Sequence, residues 1–274
     1  MIWLLVVLFG LIIGSFLNVC IARLPLEQSI VLPRSRCPRC GASISWYDNI
    51  PVVSWLLLRA KCRACGQPIS WKYPLVELLN AGLYIWAARE FGFTGEGLLV
   101  MAFCSSLIVI TFIDFDHQII PDVITLPGML IGLALAPLVM THLIAPLPFH
   151  LERMLPHGLY WIALVNSLIG LLAGGAPLFL IGWLWEKLRN VEAMGGGDVK
   201  LMAMVGTLIG WKGVLLAIMF GAVSGSIVGV TLIALKKHEA DKVIPFGPYL
   251  ALGSLASLFY GFDIMIWYLG LFRL

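Results

Sequence analysis

Asp114 and Asp198 each stand where an apolar run meets a polar loop. Asp114 follows LIVITFI directly, and Asp198 closes the three glycines of AMGGGD before VKLM. Two carboxyls brought together cannot both ionise easily, so one keeps a proton while the other can take one from water. That pairing suits peptide hydrolysis: the ionised Asp activates water, and the protonated Asp binds the scissile carbonyl. Gly195 and Gly197 permit unusual backbone angles and close approach of another chain, as an extended peptide requires. Alone, Asp198 reads equally as a helix-start residue that accepts N–H bonds and suits the helix dipole, although one glycine would be enough for that. Neither a Ser/His/Asp pattern nor HExxH is present. Asp116 and His117 read as solvated loop residues, and Asp122, after Pro121 and before VITL, as a helix N-cap. Glu77, Glu186 and Asp263 are further acids in or at the ends of apolar segments, where ionisable groups are costly. Glu77 has two readings: a carboxylate that binds a free amine, or a structural partner of Lys72 or Arg59.

Four cysteines form a second group. CPRCGASISW (37–46) returns as CRACGQPISW (62–71), with Cys, Cys, Gly, Ile, Ser and Trp at the same offsets. Two Cys-x-x-Cys-Gly knuckles supply four thiolates, Cys37, Cys40, Cys62 and Cys65, for a tetrahedral zinc site with no open position, hence a structural one. The alternatives are disulfides, which a cytoplasmic setting disfavours, and redox thiols, for which no thioredoxin-like context exists. Cys20 and Cys104 lie in apolar segments and read as core residues.

The elements that must position these groups belong in lipid. The chain is 60% hydrophobic and 12% charged, against about 25% charged for soluble domains. Segments 2–22, 74–91, 97–113, 123–142, 158–186, 199–210, 213–235 and 247–271 predict an all-α polytopic membrane protein of about eight transmembrane helices. Segment 199–210 is short, and 158–186 is long enough to tilt or to kink near Pro177. The first segment lacks a basic n-region and a small-x-small cleavage site, and reads as a retained helix. Of 18 cations, all but Arg89, Arg153, Lys212 and Arg273 fall in segments 23–73, 187–200 and 236–246. The positive-inside rule makes that side cytoplasmic, with both termini outside. The expected organisation is a first helix (1–22), a small cytoplasmic zinc-binding insert between helices 1 and 2 (23–73) and a membrane peptidase domain (74–274). The outer connection 143–157 reads as interfacial, without chemistry. No basic stripe with interleaved aromatics suggests nucleic acid.

In this order, GSFLNVCIARLP (14–25), the paired CxxC insert, YPLVELL (73–79), IDFDHQIIPDVITLP (113–127) and GGGDVKLMA (195–203) resemble the bacterial type IV prepilin peptidases, or leader peptidase/N-methyltransferases. GxGD alone is shared with presenilin-like proteases; the combination is specific. The resemblance implies an aspartic endopeptidase of the bacterial cytoplasmic (inner) membrane, with Asp114 and Asp198 as its pair. Its substrates would be prepilins and type II secretion pseudopilin precursors, cut after a short basic leader at the cytoplasmic face. It also implies N-methylation of the new N-terminus with S-adenosylmethionine, for which no donor motif is visible, so proteolysis without methylation stays open. A proton-coupled transporter would need acids near mid-membrane in repeated halves; a scaffold would tolerate Asn at both Asp positions.

Overall fold

The computed structural model describes residues 2–136, 159–189, 195–235 and 244–271. The expectation for segment 143–157 and the cations Arg153, Lys236, Lys237, Lys242 and Arg273 lie outside these residues. Among the described residues the chain is all helix, without strands. The helices are α1 (Ile2–Arg23), α2 (Val53–Leu57), α3 (Lys72–Phe91), α4 (Gly95–His117), α5 (Asp122–Leu135), α6 (Leu159–Arg189), α7 (Gly196–Ala234) and α8 (Gly247–Leu271). Five of them, α1, α4, α6, α7 and α8, are long and apolar enough to cross a membrane, and α5 is a shorter apolar helix. Large apolar side chains such as Leu172, Phe179, Ile227 and Val230 point outward, an exposure suited to acyl chains rather than to water. The cations Lys187 and Arg189 lie over the rings of Trp183 and Trp185 at the end of α6, as at a membrane interface.

The chain forms two compact units, Met1–Ile113 and Asp114–Leu274, divided within α4. In the first, α1 and α3 are antiparallel because small residues let their backbones meet. A Cβ on Gly10 would lie 2.7 Å from Ala81 Cα, and one on Gly14 would lie 2.6 Å from Glu77 Cα. One turn further, Asn18 donates to the Tyr73 carbonyl. This GxxxG-type contact gains dispersion and polar contacts where no hydrophobic effect operates between helices. Asn80 donates to the Gly10 carbonyl and accepts from Ser105, whose hydroxyl also meets Tyr84.

In the second unit, α7 is the central element. Gly170 and Gly206 stand against each other's carbonyls, and Gly174 against that of Met202, so α6 and α7 cross without side chains between them. The single expected break between 199–210 and 213–235 falls at Gly210, whose φ of 71° and ψ of 176° are not helical. The two halves fold back on one another there. A straight helix would separate residues 197 and 225 by about 42 Å. Yet Gly225 touches Phe246 and Tyr249, while the adjoining Gly247 touches Ile120, which itself touches Gly197. Ser167 donates to the Thr207 carbonyl at this reversal, satisfying an acceptor that the broken helix leaves open. Residues Leu201 to Thr207 are buried on every side, so the short first half of α7 is a core helix carrying Asp198 at its start.

Candidate functional site

Helix α4 ends where Gln118 takes a positive φ of 55° and donates its N–H to the Asp114 carbonyl. The chain then crosses Ile119–Pro121 and re-enters helix at Asp122. This short connection keeps Asp114 buried while its carboxylate accepts the Gly247 N–H at 3.0 Å. Gly247 opens α8, so a helix N-terminus faces Asp114, an arrangement that favours negative charge there. A Cβ at 247 would stand 2.7 Å from Asp114 Oδ2; only glycine admits the carboxylate.

Asp198 is the third residue of α7. Gly195 occupies the N-cap position, and the Asp198 N–H donates to its carbonyl. The Asp198 carboxylate is half-buried and lies within the electrostatic reach of Asp114; among the described residues it accepts no hydrogen bond. The paired readings of Asp198 thus separate: it sits in the first turn, but it does not cap the helix. The glycines separate too. Gly195 has an ordinary extended conformation, φ −66° and ψ 137°, and a Cβ there or on Gly196 would meet no obstacle. A Cβ on Gly197 would lie 2.9 Å from Ile120 Cβ. Close approach, rather than unusual backbone angles, is what the triplet provides, and only at Gly197.

Asp122 is corrected in one respect. Pro121 precedes the helix and Asp122 is its first residue, without a capping bond. Its carboxylate instead takes two bonds from Lys200 Nζ, at 2.8 and 2.7 Å. The missing cap has a physical reason: a first-turn residue has its side chain beside the helix rather than across its open N–H groups. The pair joins the starts of α5 and α7, which run parallel where Gly128 and Gly132 meet Met204 and Thr207. Gly247, Ile120 and the Lys200–Asp122 pair were not singled out by sequence reasoning. A Gly-Pro step opening an apolar helix (247–248) was the available signal for the first of these.

The other site residues lie in the first unit. Cys37, Cys40, Cys62 and Cys65 come together with all four sulfurs within 4.8 Å of one another. All are free thiols, and Cys37 and Cys65 approach to 4.0 Å. Tetrahedral zinc with bonds of about 2.3 Å would set sulfurs about 3.8 Å apart, so the donor set fits a metal ion. The knuckles are alike in detail. Gly41 and Gly66 take φ of 71° and 68°, and each donates its N–H to the first cysteine's carbonyl at 2.9 Å. Backbone N–H groups of Cys40 and Arg39 pull the Cys37 thiol down to about 6. The Gln67 N–H favours the Cys65 thiolate, but burial and protons shared with Cys40, Cys62 and Cys37 leave it pushed up to about 11. The four thiols divide a limited negative charge, which a dication would complete.

Glu77 is buried on α3. Its Oε2 accepts the Val52 N–H at 2.7 Å, and the Ser15 hydroxyl lies close to it. The partner read from sequence was a cation; the hydrogen bond the carboxylate accepts here comes from a backbone amide. Cys20 and Cys104 are core residues, as expected.

Apolar helices around a buried aspartate, a second aspartate in its electrostatic reach and a four-cysteine cluster mark a multi-pass, all-helical membrane protein. Residues 8–91 match the Bacterial Peptidase A24 N-terminal domain, and residues 101–230 match the Type IV leader peptidase family. The chain belongs to the type IV leader peptidase family. It is 36% identical over 286 residues to a prepilin leader peptidase/N-methyltransferase of Pseudomonas aeruginosa, covering 96% of this chain and 92% of that protein. One of the same name from Aeromonas salmonicida is 36% identical over 290 residues, covering 97% and 93%. Another, from Myxococcus xanthus, is 43% identical over 224 residues, which span 82% of this chain and 61% of that protein. No solved structure matches the chain.

Proposed function

We propose that the chain cleaves the short basic leader from type IV prepilins and type II secretion pseudopilin precursors, and then N-methylates the new N-terminus with S-adenosylmethionine as methyl donor. The observation that supports the proteolytic half is that Asp198, at the start of one helix, lies within the electrostatic reach of Asp114, at the end of another, with the Gly247 N–H on one carboxylate only. The pair holds one proton. Asp114, oriented by that N–H, takes a proton from water as the oxygen attacks the scissile carbonyl carbon. Asp198, with no donor on it, gives its proton to the carbonyl oxygen. As the tetrahedral intermediate collapses, the C–N bond breaks, the Asp114 proton passes to the leaving amine, and the intermediate's hydroxyl returns a proton to Asp198. Of the two glycines, Gly197 supports this loop by admitting Ile120, while Gly195 holds the helix N-cap position in an ordinary extended conformation.

The family reading and the cation distribution together support about eight spans in the bacterial inner membrane, with the aspartates at the cytoplasmic face and both termini outside. The cysteine insert (23–73) holds a structural Zn2+. Purified protein is expected to carry about one zinc per chain. The double change Cys37→Ser and Cys62→Ser should remove it and lower the unfolding temperature; metal-free wild type that remains folded would refute the assignment.

The function is tested on a prepilin-derived peptide with full-length protein in lipid nanodiscs. Mass spectrometry should find cleavage after the leader's terminal Gly and, with donor present, a mass increase of one methyl group on the product. An intact peptide after prolonged incubation would refute the proteolytic reading, and a cleaved but unmethylated product would refute the methyltransferase reading.

A further inference from the structure

Between Asp48 and Arg59 the cysteine insert has ten residues without a charge, NIPVVSWLLL (49–58). An apolar stretch of about 10–14 residues is too short to span a bilayer, and suits a buried helix or a re-entrant segment. One side of this stretch faces inward. Ser54, Trp55 and Leu58 line a cavity between the insert, α1 and the start of α3, and the Trp55 Nε1–H donates to the Ile69 carbonyl. The other side has no cover among the described residues. Val53, Leu56 and Leu57 have the spacing of one helix face and are exposed, the last two at 61% and 78%. Trp46 and Ile50, just before α2, are exposed too. A continuous apolar surface of this kind marks a contact with a partner or with lipid.

The stretch lies low against the membrane helices. Gly14 of α1 meets Glu77 of α3, about 13 Å along α1 from Arg23, and Glu77 Oε2 accepts the Val52 N–H. Asn49 and Pro51 share a cleft of about 240 Å³ with Ile12 and Phe16. Those two are exposed apolar residues of a helix long and apolar enough to cross a membrane, so the insert reaches down to the lipid-facing side of α1. Irregular backbone at such depth is tolerated only where protein or a wet cavity satisfies its polar groups, and protein does so here. The Ile50 N–H donates to the Ser54 hydroxyl, which donates to the Tyr47 carbonyl. Pro51 has no N–H to satisfy. The Val53 and Ser54 N–H groups donate to the Pro51 and Ile50 carbonyls. Charge begins where the stretch ends: Arg59, Lys61 and Arg63 are exposed. Over residues 24–73 the insert sets seven Lys and Arg against Glu27 and Asp48, a balance that anionic headgroups attract.

We propose that residues 49–58 form a re-entrant segment whose outer face, Val53, Leu56 and Leu57, lies among the acyl chains of the cytoplasmic leaflet, with Arg59 and Lys61 at its anionic headgroups. The choice of leaflet rests on the orientation proposed above. A second copy of the chain fits this face less well, because a two-fold contact would set the cationic surface against itself. The bond from Val52 to Glu77 gains a task from this placement: it satisfies an amide for which acyl chains offer no acceptor.

Photolabelling of the full-length protein tests this. The protein is placed in vesicles of phosphatidylethanolamine and phosphatidylglycerol that also contain a phospholipid with a diazirine midway along one acyl chain. After illumination, the tryptic peptide 40–59 should carry lipid adducts, as should α6 around its outward-facing Leu172 and Phe179, which serve as the reference. The double change Leu56→Asp and Leu57→Asp should lower labelling of that peptide about tenfold or more, because a carboxylate is costly among acyl chains. Both side chains already point outward, so helix content by circular dichroism and labelling of α6 should stay at wild-type levels. A photoactivatable benzoylphenylalanine at position 57 should likewise capture lipid. A peptide 40–59 without adducts beside a labelled α6, undiminished labelling in the Asp variant, or capture of a second copy from position 57 would each overturn the proposal. Trypsin added to intact spheroplasts reads the leaflet separately: cleavage at Arg59 or Lys61 from outside would overturn the orientation, while adducts on peptide 40–59 would still establish the re-entrant segment.

Discussion

Asp114→Asn and Asp198→Asn should each lower leader cleavage by about 10⁴-fold, the upper range for removing a positioned acid or base. The double variant should be no worse than either single one, because residues that act as a unit fail together. Stability should barely change. Asn at 114 still offers an oxygen to the Gly247 N–H, now within 3.0 Å of the carboxylate, so the structural bond survives, while an amide can neither take a proton from water nor give one to a carbonyl in the required sequence. Asn at 198 interrupts no hydrogen bond of the described residues. Methylation of a pre-cleaved peptide should continue in both variants, since the proposed proteolytic steps alone use the two aspartates. The measurement is single-turnover cleavage of a prepilin peptide. Either Asn variant working within tenfold of wild type would remove that aspartate from the mechanism.

Much of this architecture was legible because membrane helices advertise themselves through composition. The apolar segments starting near residues 2, 97, 158 and 247 became helices at those places. The knuckles were legible for another reason: each is local, closed by a glycine four residues after its first cysteine. The aspartates were visible as acids at apolar boundaries, but what holds them was not. Asp114 and Gly247 are 133 residues apart. They meet only because α7 doubles back at Gly210 and because Gly206 lets α6 cross it closely. Asp122 misled for a related reason. Its local pattern resembles a cap, while its actual partner, Lys200, arrives with a helix that runs parallel to α5. Glu77 posed the harder problem. Charge pairing is readable from sequence, but the positive φ of 60° at Val52, whose N–H Glu77 accepts, runs against the preference of a β-branched residue, and nothing in PVVS announces it.

Gly197→Ala should separate geometry from flexibility in the glycine triplet. The added Cβ would stand 2.9 Å from Ile120 Cβ and 3.3 Å from its Cγ1, so the two chains must part by a few tenths of an ångström or more. Ile120 has little freedom to yield. It precedes Pro121, which restricts its backbone, and its Cδ1 already lies against Gly247, the donor to Asp114. One displacement therefore reaches both carboxylates, and misplacement approaching 1 Å can cost about 10²-fold in rate. A fall in turnover of about 10- to 10²-fold is expected. Stability should move much less, because crowding of about 1–3 kcal/mol is offset by the roughly 1 kcal/mol that alanine gains over glycine within a helix. Gly195→Ala, which meets nothing beyond its own loop, should leave turnover within about twofold. Ile120→Gly, which removes the Cβ that the added methyl group would meet, should partly rescue Gly197→Ala; such non-additivity marks contact between the two positions. Equal damage from Gly195→Ala and Gly197→Ala would mean that the loop's freedom to move, rather than the narrow approach at Ile120, is what the glycines supply.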